Sequence, residues 1–149
     1  MIPYFYHGTT YTNLTKTSNY RFSKTPYIYA NIFPCKNRLT RDDKTGGLGE
    51  ITILIDPTII KRGAYFNSGW VGDVTDKSIK LTSKNIVKIQ KRLCQTNGNP
   101  YIMTHEVLID KDVPSVFIIG IVVHDDKLRA KVSKLTSIKT FKLLPMLIK

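Results

Sequence analysis

The chain has 149 residues, 42% of them hydrophobic, which suits one globular domain with its own core rather than a disordered chain. Lys and Arg outnumber Asp and Glu by 23 to 11, a net charge of +12. That excess points to a polyanionic partner, nucleic acid before membrane, with a lysine-rich solubilising surface as the plain alternative.

Cys35 and Cys94 lie far apart without CxxC spacing, so neither a disulfide framework nor a zinc site is implied and a reducing, cytoplasmic setting fits. The start, MIPYFYHG, lacks the basic region and long apolar stretch of a signal peptide. The longest apolar run, residues 116–123, is far too short to span a bilayer, so no membrane association is expected.

In chain order, residues 2–6 read as a buried apolar strand that delivers His7-Gly8-Thr9 at its end. Residues 10–17 (TYTNLTKT) are polar and read as a short helix or loop. In residues 21–31 (RFSKTPYIYAN), Pro26 biases Thr25 toward extended geometry and can open a helix over 27–33, which Pro34 would stop. Residues 35–49 combine basic residues, two aspartates and three glycines, a mobile loop that is either a plain surface excursion or a lid over substrate.

Residues 50–55 (EITILI) are a strand ending at Asp56-Pro57, followed by a helical turn over 58–63 and a short strand over 64–66. Residues 67–73 form a loop holding the only tryptophan, Trp70. Residues 83–96 read as a helix capped by Ser83, with Ile86, Val87, Ile89, Leu93 and Cys94 as its apolar stripe and Asn97-Gly98-Asn99-Pro100 as its terminator. Two β-prone runs, 102–109 and 116–123, flank a charged turn at 110–114. A basic amphipathic helix over 125–135 and a final strand or tail over 140–148 complete the chain. Without repeat or linker, residues 1–149 read as a single α+β domain with a mostly antiparallel core.

Glu106 stands inside the first of the two late runs. Period-two alternation puts it on a face with Thr104 and Leu108, opposite His105, Val107 and Ile109. A carboxylate among β-branched residues is either solvated at a sheet edge or held in a cleft for chemistry. One chemistry open to a set of His7-Gly8-Thr9, Tyr27, Tyr29 and Glu106 is cleavage of the nicotinamide–ribose bond of NAD, in which positive charge develops on the ribose. A carboxylate against the ribose 2′-hydroxyl would stabilise that charge, a histidine would bond a ribose hydroxyl, and a tyrosine ring would offer a face to nicotinamide. Spacing alone does not select this reading over a strand-end histidine and core tyrosines.

The order His-Gly-Thr, Tyr, Glu resembles the H–Y–E triad of the ADP-ribosyltransferase fold, and within it the DNA-targeting toxins of the DarT type. In that family a His-x-Thr strand is followed by Arg-Ser-Pro-Met-Leu-Tyr, where this chain has Lys24-Thr25-Pro26-Tyr27-Ile28-Tyr29. Its Phe-x-x-Gly stretch is matched by Phe66-Asn67-Ser68-Gly69. Its Ala-Glu-φ-Leu-Val pattern, Val-Pro turn and Ile-x-Gly-Ile-x-Val strand are matched by His105-Glu106-Val107-Leu108-Ile109, Val113-Pro114 and Ile119-Gly120-Ile121-Val122-Val123. Lys24 departs from the pattern, standing where the family has an arginine, and an ammonium lacks the planar fork of a guanidinium.

The resemblance implies a split, mostly antiparallel sheet with short flanking helices, and NAD as the ADP-ribose donor. It implies Glu106 and Lys24 as catalytic groups, and His7, Gly8, Thr9, Tyr27 and Tyr29 on the NAD side. Trp70, Asn97, Asn99 and Tyr101 would meet the acceptor, a base in single-stranded DNA rather than RNA. A toxin of this kind would belong to a toxin–antitoxin or phage-conflict system, with an antitoxin protein as partner. The alternatives are an RNA-modifying ADP-ribosyltransferase, a small ribonuclease toxin, or a nucleic-acid-binding module in which Glu106 is incidental. His105 and His124 read as structural, and three histidines at these spacings do not suggest a metal.

Overall fold

A computed structural model of the chain describes residues 4–12, 27–33, 50–94, 105–110, 113–123, 125–135 and 140–141. Within them lie eight strands: β1 (Tyr4–Thr9), β2 (Tyr27–Phe33), β3 (Ile51–Ile55), β4 (Ala64–Asn67), β5 (Ile79–Lys80), β6 (Glu106–Asp110), β7 (Ile118–Val123) and β8 (Thr140–Phe141). Two α-helices accompany them, α1 (Ser83–Cys94) and α2 (Asp126–Leu135). The strands form one sheet in the order β5-β4-β6-β2-β1-β3-β7-β8, antiparallel at every pairing except β7 with β8. The fold is therefore the α+β arrangement expected, with a mostly antiparallel sheet.

Alternation along the strands builds the core. Phe5, Ile28, Ala30, Ile32, Ile51, Ile53, Val107 and Ile109 join one buried cluster, and the registers Phe5↔Ile32, Phe5↔Ile55, Ile28↔Ile109 and Ala30↔Val107 align them on one face. Each of the larger side chains contributes about 1.5–3 kcal/mol by leaving water. Along the central strand β3 the opposite face is buried too, through Thr52 and Leu54.

Residues 27–33 form a strand, not the helix that Pro26 and Pro34 suggested. Ile28, Ala30 and Ile32 alternate inward and β2 is paired on both sides, by β1 and β6. A helix would leave those two neighbours without a partner on that side and turn the inward trio around its circumference, so the sheet overrides the proline punctuation. β1 also extends through Thr9, which places His7-Gly8-Thr9 within the strand rather than after it.

A 3-10 helix over Pro57–Arg62 occupies the expected turn, capped by the Asp56 carboxylate, which accepts from the Thr58 amide at 2.8 Å. Helix α1 is capped by Thr82 rather than Ser83. The Thr82 hydroxyl accepts from the Asn85 amide at 3.2 Å while the Asn85 side chain accepts from the Thr82 amide at 2.8 Å, a reciprocal box. Asp125 caps α2 through the Leu128 amide at 2.7 Å. The expected strand over 116–123 is a 3-10 turn, Ser115–Phe117, followed by β7. Among the described residues no helix is long and apolar enough to cross a membrane. The loop at 35–49, the terminator at 97–100 and the tail beyond 141 lie outside the described residues.

One feature of this topology positions the site. β1 pairs with β2 only from Tyr4↔Phe33 to Tyr6↔Asn31. Beyond that point β1 continues on β3 as far as Thr9↔Ile51, and β2 continues on β6 as far as Tyr27↔Asp110. His7–Thr9 and Tyr27–Ala30 are thus backed by different neighbours, and the sheet splits between them.

Candidate active site at the split in the sheet

Glu106 opens β6, opposite Asn67 on β4, and its side chain is only 6% exposed. It begins the described strand rather than lying mid-run, and the preceding residues 101–104 fall outside the description. It is not a solvated edge carboxylate. A buried carboxylate must be hydrogen-bonded to be tolerated, and Glu106 Oε1 accepts three such bonds. Its donors are Asn67 Nδ2 at 2.9 Å, the Val71 amide at 2.8 Å and the Gly72 amide at 2.7 Å. Among the described residues Oε2 takes no hydrogen bond, so the carboxylate is anchored through one oxygen and offers the other.

The loop between β4 and β5 supplies this anchor. At Gly72 φ is +80°, a left-handed conformation that glycine adopts without the Cβ penalty, and this turn aims its amide at Oε1. Asn67 fixes the loop from below: Nδ2 also donates to the Asp73 carbonyl at 3.0 Å, and Oδ1 accepts from the Ser78 hydroxyl. Neither Asn67 nor the two amides was anticipated. Backbone donors leave no side-chain signature; only the glycines and the asparagine of the 67–73 loop hinted at a special turn.

At the point where β1 and β2 part, His7 Nδ1 donates to the Tyr29 backbone carbonyl. That bond selects the tautomer with a proton on Nδ1 and makes Nε2 an acceptor. Burial lowers the imidazole below its ordinary range, with the Tyr29 carbonyl pulling weakly upward, so the ring is neutral near pH 7. Of the two candidate tyrosines, Tyr29 joins the loop: its hydroxyl donates to the Gly72 carbonyl at 3.0 Å. A continuous path therefore runs from His7 through Tyr29 and Gly72 to Glu106. Tyr27 lies two residues earlier on the same face of β2.

Gly8 pairs with Thr52 across β1 and β3. Thr9 Oγ1 is, among the described residues, the only buried side-chain oxygen or nitrogen without a hydrogen-bond partner. Next to Gly72, Trp70 is 57% and Val71 54% exposed, so an open aromatic surface stands on the loop that clamps the carboxylate. Asn97, Asn99, Tyr101 and Lys24 lie outside the described residues. His105, expected to be structural, is 5% exposed, accepts the Ile32 amide at Nε2 (3.1 Å) and stacks on Phe66 with centroids 5.7 Å apart. His124 lies outside the described residues. No group of three or more His, Cys, Asp or Glu able to hold a metal occurs among the described residues.

No family model matches the chain, and no curated protein matches it in sequence. Solved structures do match it in fold. DarT from Thermus sp. 2.9 in complex with NAD+ superposes with a TM-score of 0.62 at 13% identity, over 93% of this chain and 94% of that one. The same protein with carba-NAD+ gives a TM-score of 0.65 at 11% identity, over 99% and 98%. Its complex with ADP-ribosylated single-stranded DNA gives 0.55 at 12% identity, over 90% and 78%. The chain thus has a DarT-like ADP-ribosyltransferase fold.

Proposed function

We propose that the protein is an NAD-dependent ADP-ribosyltransferase that modifies a base in single-stranded DNA. The observation that carries this reading is the Glu106 carboxylate, buried at the split in the sheet and held through Oε1 by Asn67, Val71 and Gly72, with Oε2 left to act. The match to DarT structures bound to NAD+ and to ADP-ribosylated single-stranded DNA supports the choice of donor and acceptor. The net charge of +12 is an independent support, because phosphate neutralisation dominates such binding.

The residues present suit NAD. His7 Nε2 accepts a ribose hydroxyl in the tautomer that the Tyr29 carbonyl selects. Thr9 Oγ1, buried without a partner, is a polar group that a hydroxyl-rich ligand would satisfy. Tyr29, with Tyr27 beside it, offers a ring face to nicotinamide. Bound there, NAD would supply an electrophilic anomeric carbon, to which the base bonds as the nicotinamide–ribose bond breaks and nicotinamide leaves. Glu106 Oε2 accepts the ribose 2′-hydroxyl and stabilises the positive charge that grows on the sugar. The same carboxylate then takes a proton from the incoming base. Lys24 is proposed to sit near it as a point charge. Trp70 stacks the unpaired base, and Asn97, Asn99 and Tyr101 complete the acceptor side. A single strand is favoured because its bases need not be extruded from a duplex.

In a cell this activity would be toxic, and an antitoxin protein would be its partner. Incubation with labelled NAD and separate pools of DNA, RNA and protein tests the proposal. Label should enter single-stranded DNA. Label in RNA would select the RNA-modifying alternative, and nucleic-acid cleavage without NAD would select a ribonuclease.

A further inference from the structure

We infer that the outer face of α1 is a phosphate track that carries the single strand to Glu106. The inference rests on the nucleic-acid reading above and adds where the strand lies. Lys84, Lys88, Lys91 and Arg92 occur at i, i+4, i+7 and i+8, which puts all four on one side of the helix over about 12 Å of its axis. All four are exposed, while Ile86 and Leu93 on the opposite side are buried in the core. From Lys77 to Cys94 the chain carries six cations and no acidic residue. Among the described residues none of the four is paired with a carboxylate.

The position of the helix relates it to the site. Asn67, which holds Glu106, also accepts from Ser78, and Ser78 leads directly into β5 and then α1. Among the described residues Glu106 is the first strand residue after α1. The loop that clamps the carboxylate thus runs into the cationic helix, with Trp70 exposed at its start. A phosphodiester backbone along α1 would bring bases toward that ring.

A membrane surface fits the helix less well. An interfacial helix buries an apolar face in lipid. The apolar face of α1 is already used in the core.

Helix α2 provides an internal control. Its exposed Lys127, Lys131 and Lys134 form a similar stripe, but α2 packs on β7 and β8, at the edge of the sheet opposite β5.

The test measures binding of a fluorescent single-stranded oligonucleotide against salt, without NAD, so that it reads the track even if no ADP-ribose is transferred. The quadruple variant Lys84→Gln/Lys88→Gln/Lys91→Gln/Arg92→Gln should bind roughly tenfold or more weakly at 0.1 M salt. Its log–log salt slope should flatten by up to about 3, at about 0.7 per phosphate contact. The variant Lys127→Gln/Lys131→Gln/Lys134→Gln should change both far less, and Lys84→Arg/Lys88→Arg/Lys91→Arg should bind like wild type. Equal losses in the α1 and α2 variants would overturn the assignment in favour of diffuse charge. An α1 variant with wild-type affinity and slope would overturn it outright, as would wild-type binding to anionic vesicles tighter than to the oligonucleotide.

Discussion

Tyr29 and Glu106 are joined through one residue: the Tyr29 hydroxyl donates to the Gly72 carbonyl at 3.0 Å, and the Gly72 amide donates to Glu106 Oε1 at 2.7 Å. Tyr29→Phe removes that tether and keeps the ring. A neutral hydrogen bond contributes about 0.5–1.5 kcal/mol, so the turnover rate should fall roughly two- to tenfold with the KM for NAD little changed. Tyr29→Ala should raise that KM as well. Steady-state kinetics of the two variants separate tether from stacking surface, and a Phe variant that loses NAD affinity as severely as the Ala variant would contradict this division.

Gly72 combines a φ of +80° with open space around its Cα, where an added Cβ meets nothing within 4 Å. Substitution there therefore tests backbone conformation and not crowding. Gly72→Val should lose about 1–2 kcal/mol or else shift the loop and release Glu106, whereas Gly72→Asn, a residue that visits this region, should be milder. Thermal unfolding and transfer rate, measured together, should rank wild type, Asn and Val in that order.

Asn67 is 4% exposed and donates to both Glu106 and the Asp73 carbonyl. Asn67→Ala leaves the buried Glu106 Oε1 and the Asp73 carbonyl each one donor short, at a cost of about 1–3 kcal/mol for the buried group. Asn67→Asp places a second carboxylate against the first and should impair transfer more than Ala does. Rates for the two variants decide the matter, and an Asp variant as active as wild type would remove Asn67 from the account.

His7 makes stability depend on pH in a known direction. Its folded value lies below the ordinary 6.5, so between the two values the unfolded chain binds a proton that the native one does not. Its contribution is therefore fully present above pH 6.5 and is lost as the pH falls through the lower folded value. Urea unfolding of wild type and His7→Gln should show a stability difference that shrinks as pH drops below about 6.5. A difference constant across that window would contradict the burial of a neutral imidazole.

Much of this was legible in the sequence where periodicity is strong. The run EITILI is β-prone throughout and the stripe of α1 carries a helical period, and both elements are found. Over residues 27–33 two prolines point to a helix, against the inward alternation of Ile28, Ala30 and Ile32, which only the pairing with β1 and β6 makes decisive. The placement of His7, Tyr29 and Glu106 came from a motif resemblance. The bonds that join them could not be read at all, because the Tyr29 carbonyl, the Gly72 carbonyl and the amides of Val71 and Gly72 are backbone groups common to every sequence. The strand order was equally hidden, since β6 reaches β2 across more than seventy residues of chain and only tertiary packing selects that partner.

In the proposed reaction Glu106, anchored by one oxygen, acts with the other on the sugar of NAD. Its most direct test is transfer of label from NAD to a single-stranded oligonucleotide by wild type, Glu106→Gln and Glu106→Ala. Gln keeps an oxygen to accept from Asn67, Val71 and Gly72 but carries no charge, and Ala keeps neither. Both should lose at least the roughly hundredfold expected for removing a group that stabilises transition-state charge, while both still bind the oligonucleotide. Transfer at the wild-type rate by either variant would contradict the claim.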